Sequence, residues 1–245
     1  MLFERDERMF KVKNQKLFCM VLASVVALTS VGYGALAAAA DETPSQAGEK
    51  TGVEGQYVRV AETDEGWVVL GYRIANESVK NEWMLLDVGM TVLKGVKGQK
   101  ITRDQIKLVA PGGQVIALPS AKEYGKARGS LEAMTERANM NQDSINYFPP
   151  GADQACRIGF FSDPTKPMQS LAYDQVELNP QRACVGRLYF HVPGGIQYGN
   201  YNLDVQFANS VVRVPMKIMT KDEAKAFEKE WKAAKKKNKQ KGHDK

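Results

Sequence analysis

Histidine and cysteine, from which most catalytic and metal centres are built, are scarce here: 245 residues include two His and three Cys. With two imidazoles and no C-x-x-C spacing the chain does not assemble a zinc-type ligand set, and no metal or cofactor is expected. A G-x-S-x-G elbow is missing too. An acyl-transfer triad would have only His191 as an interior base, because His243 lies in the terminal tail. Around His191, Leu188, Phe190 and Val192 alternate, which puts the imidazole on the opposite strand face with Tyr189 and reads as a surface position. A basic body is lacking as well. The net charge is +6, from 34 Lys+Arg and 28 Asp+Glu. Residues 1–40 hold five cations and three anions, and residues 232–245 hold seven cations and one anion, which leaves 22 cations against 24 anions in 41–231. The excess therefore sits at the two ends, and nucleic-acid binding by the body is not expected.

Long apolar runs are limited to one, LFCMVLASVVALTSV at 17–31. Lys11, Lys13 and Lys16 precede it and the small-residue tract ALAAAA (35–40) follows, the pattern of a signal peptide over 1–40 cleaved near Ala40. A start at Met9 rather than Met1 would give a purely basic leading region. The alternative is retention of Leu17–Ala40 as a membrane anchor, since that stretch carries no charge over a length that spans a bilayer. Export leaves Cys156 and Cys184 as an even pair, expected to form a disulfide in an oxidising periplasmic or extracellular compartment.

Residues 41–55 are polar, contain Pro and Gly and lack periodicity, and read as a flexible leader. From Gln56 onward, short alternating runs are separated by turn residues: 67–76, 82–93, a hairpin around Pro111-Gly112-Gly113, then 156–161, 173–178, 183–192, 200–207 and 211–218. This spacing predicts an all-β antiparallel sandwich over 56–219. Within it, Ser120 and Glu123 form a capping-box pair ahead of Leu131, Met134 and Ala138. A helical insertion is expected at 120–140, in pieces divided by Gly125 and Gly129. Thr220 and Glu223 open a C-terminal helix with Ala224, Phe227 and Trp231 on one face, followed by a Lys-rich tail that frays beyond Ala234. The whole segment is 220–245.

The stretch 178–207 carries Gly186, Leu188, Phe190, Val192 and Pro193, then Tyr201, Leu203, Val205 and Phe207. This G-x-L-x-F-x-V-P and Y-x-L-x-V-x-F pattern resembles the closing half of bacterial extracytoplasmic immunoglobulin-like sandwich domains. Ile74-Ala75-Asn76-Glu77-Ser78 is similar to their V-x-N-x-S segment. The resemblance implies an immunoglobulin-like fold and binding or envelope roles, and it specifies sheet geometry rather than chemistry.

Paired carboxylates for glycoside hydrolysis are not evident. Glu62, Asp64 and Glu65 share one turn, read as solvated, with a weak calcium site as the lesser reading. GVKGQK (95–100) lacks phosphate-loop spacing and reads as a hairpin tip. Two binding features remain. One is an aromatic loop set, Tyr147, Phe148, Tyr198 and Tyr201. The other is the lysine series Lys235, Lys236, Lys237, Lys239 and Lys241, suited to anionic envelope components or an envelope protein. The expected function is a non-catalytic binding or structural role in the cell envelope. The alternatives are a sandwich-fold hydrolase or a membrane-anchored accessory subunit.

Overall fold

Apolar alternation and turn chemistry become twelve strands and three helices among the described residues, 50–243, in a computed structural model of the chain. These residues fall within the second of the two units into which the chain divides, Pro44–Lys245. The expected signal peptide or anchor (1–40) and residues 41–49 of the leader lie outside the described residues. Residues 50–55 of that leader are strand β1 (Lys50–Gly55), antiparallel to β2 (Val58–Glu62). Its backbone supplies hydrogen bonds to a sheet edge, a role that side-chain composition does not report.

Strand β3 (Gly66–Gly71) covers only the first half of the alternation at 67–76. The chain turns at Tyr72 into a short helix, α1 (Arg73–Glu77), which buries Ile74 and Ala75 and lets Asn76 Oδ1 accept from Met219 N–H at 2.6 Å. The expected strand is thus cut short by a turn that satisfies the backbone of the last strand's exit. Strand β4 (Trp83–Val92) follows the expected alternation, but both of its faces are buried.

The chain then leaves this sheet. GVKGQK is not a hairpin tip: it links β4 to β5 (Gln99–Thr102), which pairs with β9 (Gln175–Leu178) in a separate two-stranded sheet. The expected hairpin at Pro111-Gly112-Gly113 joins β6 (Ile106–Val109) and β7 (Val115–Ala117). Gly112 and Gly113 adopt φ of 88° and 85°, conformations that glycine takes at little steric cost.

Helix α2 (Ala121–Met140) starts at the expected capping box, with Glu123 N–H donating to Ser120 Oγ at 3.2 Å. It is one helix, not two pieces. Gly125 and Gly129 have open space around them, and the buried face of Leu131, Met134 and Ala138 holds the helix down across them.

Strands β8 (Gln154–Ile158) and β10 (Arg182–His191) run parallel, and β10 is antiparallel to β4. The large sheet has the order β1-β2-β3-β4-β10-β8. Strands β11 (Gly199–Gln206) and β12 (Val211–Ile218) complete a second sheet, β12-β11-β6-β7. Inward residues of both sheets, among them Val68, Leu70, Met84, Leu86, Leu188, Phe190, Leu203 and Val214, form one apolar core with Leu131 and Met134 of α2. Fully burying each such side chain is worth about 1.5–3 kcal/mol.

Helix α3 (Lys221–His243) begins at the expected Thr220/Glu223 capping pair. Ala224 is buried, Gln56 Nε2 donates to its carbonyl at 2.8 Å, and Phe227 packs on the core beneath the Arg59 guanidinium, 5.1 Å from its ring centroid. The helix extends past Ala234, where the chain is expected to lose helical structure, as far as His243. Lysine is a good helix former, and Lys232 pairs with Glu228 one turn back at 2.5 Å. Among the described residues no helix is long and apolar enough to cross a membrane.

Cys156 and Cys184 are joined in a disulfide. They are direct register partners on the parallel strands β8 and β10, with Cα atoms 4.1 Å apart. The bridge therefore ties an edge strand to its neighbour within one sheet, and it points to an oxidising, extracytoplasmic environment.

Candidate functional site

Along β3, β4 and β10, residues of odd number face away from the main core: Val69 and Gly71, Asp87 and Gly89, Val185, Arg187 and Tyr189. On an ordinary half-buried sheet this face would be polar. Here it is half covered. The segment after α2 crosses it, with Ile145 packed on Val58, Val60 and Val69 and with Tyr147 against the same cluster. Trp67 Nε1 donates to the Tyr147 carbonyl at 2.8 Å. Gly89 makes room for the crossing: a Cβ there would come 2.7 Å from the Phe148 ring, so the ring would have to shift from its place on the strand.

Helix α2 covers the β10 end of the same face. Thr135 Oγ1 donates to the Leu131 carbonyl and lies 3.0 Å from the Tyr189 hydroxyl. The Tyr124 ring sits 4.7 Å from Phe161 and 5.3 Å from Tyr189. Burial raises the Tyr124 and Tyr189 phenols, so both stay neutral hydrogen-bonding groups.

Between the 142–146 segment and the loop that follows β8, above β4 and β10, a cleft of about 830 Å³ remains open. Its floor is the ion pair of Asp87 and Arg187, register partners on β4 and β10, with Arg187 Nε 3.1 Å from Asp87 Oδ1. Burial pushes the Asp87 carboxyl up, and the Arg187 charge and hydrogen bond pull against that. Arg187 also donates to Asn139 Oδ1 of α2 at 2.7 Å. On one wall, Asp143 accepts two hydrogen bonds from Arg73 at 2.6 and 3.0 Å. On the other, Asp163 Oδ1 accepts from the Thr165 N–H and hydroxyl at 2.9 and 2.7 Å. Arg157, beside Val185 in the β8–β10 register, and Lys166 also line the cleft and are exposed. Neither side chain has an ion pair or a hydrogen-bonded partner among the described residues. Ile145, Ile158, Phe161 and Val185 supply apolar wall. The arrangement thus offers unspent positive charge, polar side chains and apolar surface.

The residues expected to bind are dispersed. Tyr147 and Phe148 are half-buried and serve to cover the large sheet. Tyr201 is 1% exposed, a core residue whose hydroxyl accepts from Gln197 N–H at 3.0 Å, so it does not present a binding surface. Tyr198 is 53% exposed and lines a second cavity of about 470 Å³ between α1 and the start of α3. Lys235 and Lys236 are exposed on α3, with the Lys235 ammonium 4.8 Å from the Trp231 ring centroid. Lys237, Lys239 and Lys241 lie on the same helix, and their side chains are outside the described residues.

His191 is exposed, as its strand parity implies, 5.1 Å from the Trp83 ring and 3.9 Å from Glu82. Its neighbour on that face, Tyr189, is buried because α2 covers it. The reading of 62–65 as a solvated turn holds for Asp64 and fails for Glu65, which is 8% exposed. The Glu65 carboxylate accepts from Gln99 Nε2, Asn209 N and Nδ2, and Ser210 Oγ at 2.6–3.2 Å. Burial pushes that carboxyl up, but the four hydrogen bonds outweigh it and hold it below the usual carboxylate range. Its oxygens are engaged by protein donors rather than free for calcium. Among the described residues no cluster of three His, Cys, Asp or Glu is placed to hold a metal.

The cleft residues Asp87, Arg157, Lys166 and Arg187 were not singled out by sequence reasoning. One signal was present: Asp87 is the lone charge inside WMLLDVGMTV, and a charge in an otherwise apolar strand demands a partner. No family model, no curated protein and no solved structure matches the chain.

Proposed function

We propose that this is an exported, non-catalytic protein of the cell envelope, built on an immunoglobulin-like sandwich, that binds an anionic envelope component in the cleft on its large sheet. One observation carries the reading: of the six charged side chains lining the cleft, Asp87, Arg187 and Asp143 are ion-paired within the protein and Asp163 is hydrogen-bonded by Thr165, and the two whose side chains have no partner, Arg157 and Lys166, are both cations. The basic helix α3 has the same charge preference at a separate place. The sandwich assignment is supported by two sheets closing on one core and by the pattern from Gly186 to Phe207.

A hydrolase is the second reading, favoured by Asp87 and Asp143 lining one cavity. Each of these carboxylates is bonded to an arginine, which suits a rigid wall better than proton transfer. Retention on isolated envelope material tests the proposal. Val185→Trp, which fills the cleft, should abolish retention, whereas removal of 232–245 should weaken it and reduce its salt dependence. Retention unchanged in Val185→Trp would overturn the cleft as the contact surface.

A further inference from the structure

We infer that the cleft takes a small amphiphile with one anionic head group and an apolar tail, an inference that rests on the cleft being the binding surface proposed above. The head group follows from charge. Asp143 is ion-paired with Arg73 and Asp87 with Arg187, while Asp163 is hydrogen-bonded through one oxygen by Thr165 and keeps its charge, so a ligand entering the cleft meets two unpaired cations against one carboxylate. A carboxylate or phosphate oxygen gains from both cations, whereas a cationic ligand is repelled by them and has only Asp163 to set against that.

The tail follows from the walls. Ile145, Ile158 and Phe161 edge the cleft as otherwise buried residues, and Val185, 40% exposed on β10, is the open apolar side chain of the wall. The loop that brings Lys166, Gln169 and Ser170 to the cleft also carries Met168, 96% exposed, and Leu171, 70% exposed. Tyr173, also exposed, packs beside Gly159, two residues from Arg157, and donates its backbone N–H to the Gly159 carbonyl at 2.7 Å. Large apolar side chains left in water within a few residues of a cleft wall mark a surface that another apolar group covers. The volume, about 830 Å³, suits a small molecule, for which pockets run roughly 300–1,000 Å³. A long acidic polymer would use the charges and leave the apolar wall unused.

Titration calorimetry on the full exported protein, with single-chain probes below their micellar concentrations, tests this. Dodecanoate and dodecyl phosphate should bind one to one, and the stronger of the two identifies a free acid or a phospholipid-type head as the source. Dodecanol should bind about tenfold more weakly or worse, and dodecyltrimethylammonium not measurably. The double variant Arg157→Gln/Lys166→Gln should lose about tenfold or more for the anions and leave dodecanol unchanged. Both side chains are exposed and unpaired, so its circular dichroism and melting temperature should match the parent. Equal binding of dodecanol and dodecanoate, or a double variant that binds the anions as well as the parent, overturns the head-group assignment. Binding of polyglutamate with no binding of either dodecyl anion overturns the amphiphile while leaving the cleft as an anion site. Unaltered envelope retention in Val185→Trp instead sinks the cleft itself.

Discussion

Asp87 and Arg187 face each other across β4 and β10 as direct register partners, joined by a 3.1 Å contact, and between them they form the floor of the cleft. The pair also carries α2, because the second arm of Arg187 reaches Asn139. The cross-strand ion pair thereby couples the cleft floor to α2.

Removing one member should therefore cost more than a surface pair. Asp87→Ala leaves a guanidinium that is only one-fifth exposed without its counter-charge, and should destabilise by about 3 kcal/mol in urea unfolding. Asp87→Ala/Arg187→Met should recover much of that loss, because no charge is then left unpaired. A double variant no more stable than Asp87→Ala would refute the pairing argument.

Glu65 sets an acid limit. Its folded carboxyl lies below the usual range, so its contribution is fully present above the unfolded value of about 4.3 and is lost as pH falls through the lower folded value. Glu65→Gln should lower the melting temperature at pH 7, and its gap from the parent should shrink as pH falls from about 5 toward 3. A gap constant with pH would mean that Glu65 is not ionised in the fold.

Two glycines should respond with opposite signs. A Cβ on Gly186 would come 2.1 Å from the Ile158 carbonyl oxygen, where β10 lies against β8. Gly186→Ala should destabilise by about 1–3 kcal/mol and speed amide exchange in 154–158. Gly125, inside α2 with nothing within 4 Å, should gain about 0.5–1 kcal/mol on replacement by Ala. A stabilised Gly186→Ala would contradict the parallel register of β8.

The disulfide closes a separation of 28 residues and should be worth about 3–4 kcal/mol in the chain-entropy model. Cys156→Ser/Cys184→Ser should unfold at correspondingly lower denaturant, with the loss appearing first as exchange in β8. An unchanged midpoint would show that β8 is held by its backbone pairing and by Ile158 alone.

Strand identity was legible where one face of a strand meets the core. The alternation in 200–207 and 211–218 reappears as β11 and β12, because a period of two is imposed by the pleat itself. Capping boxes at Ser120 and Thr220 were legible for the same local reason. The misreadings share a different origin. Residues 67–76 alternate to the end, yet Tyr72–Glu77 turn because Asn76 and Arg73 have partners more than sixty residues away, Met219 and Asp143. Glu65 looked like turn chemistry because the groups that bury it are also remote, Asn209 and Ser210 more than 140 residues away and Gln99 34 away.

Local order follows from side chains a few residues apart, so composition and spacing were enough for a β-rich body, two capped helices, a bonded cysteine pair and a positive excess confined to the ends. The cleft required the third dimension. Asp87 and Arg187 are 100 residues apart, and Asp143 meets Arg73 across 70. Only when such pairs neutralise each other does it emerge that Arg157 and Lys166 are left over. The +6 of the whole chain hides that local imbalance, because what a ligand feels is the charge that the fold has not already spent.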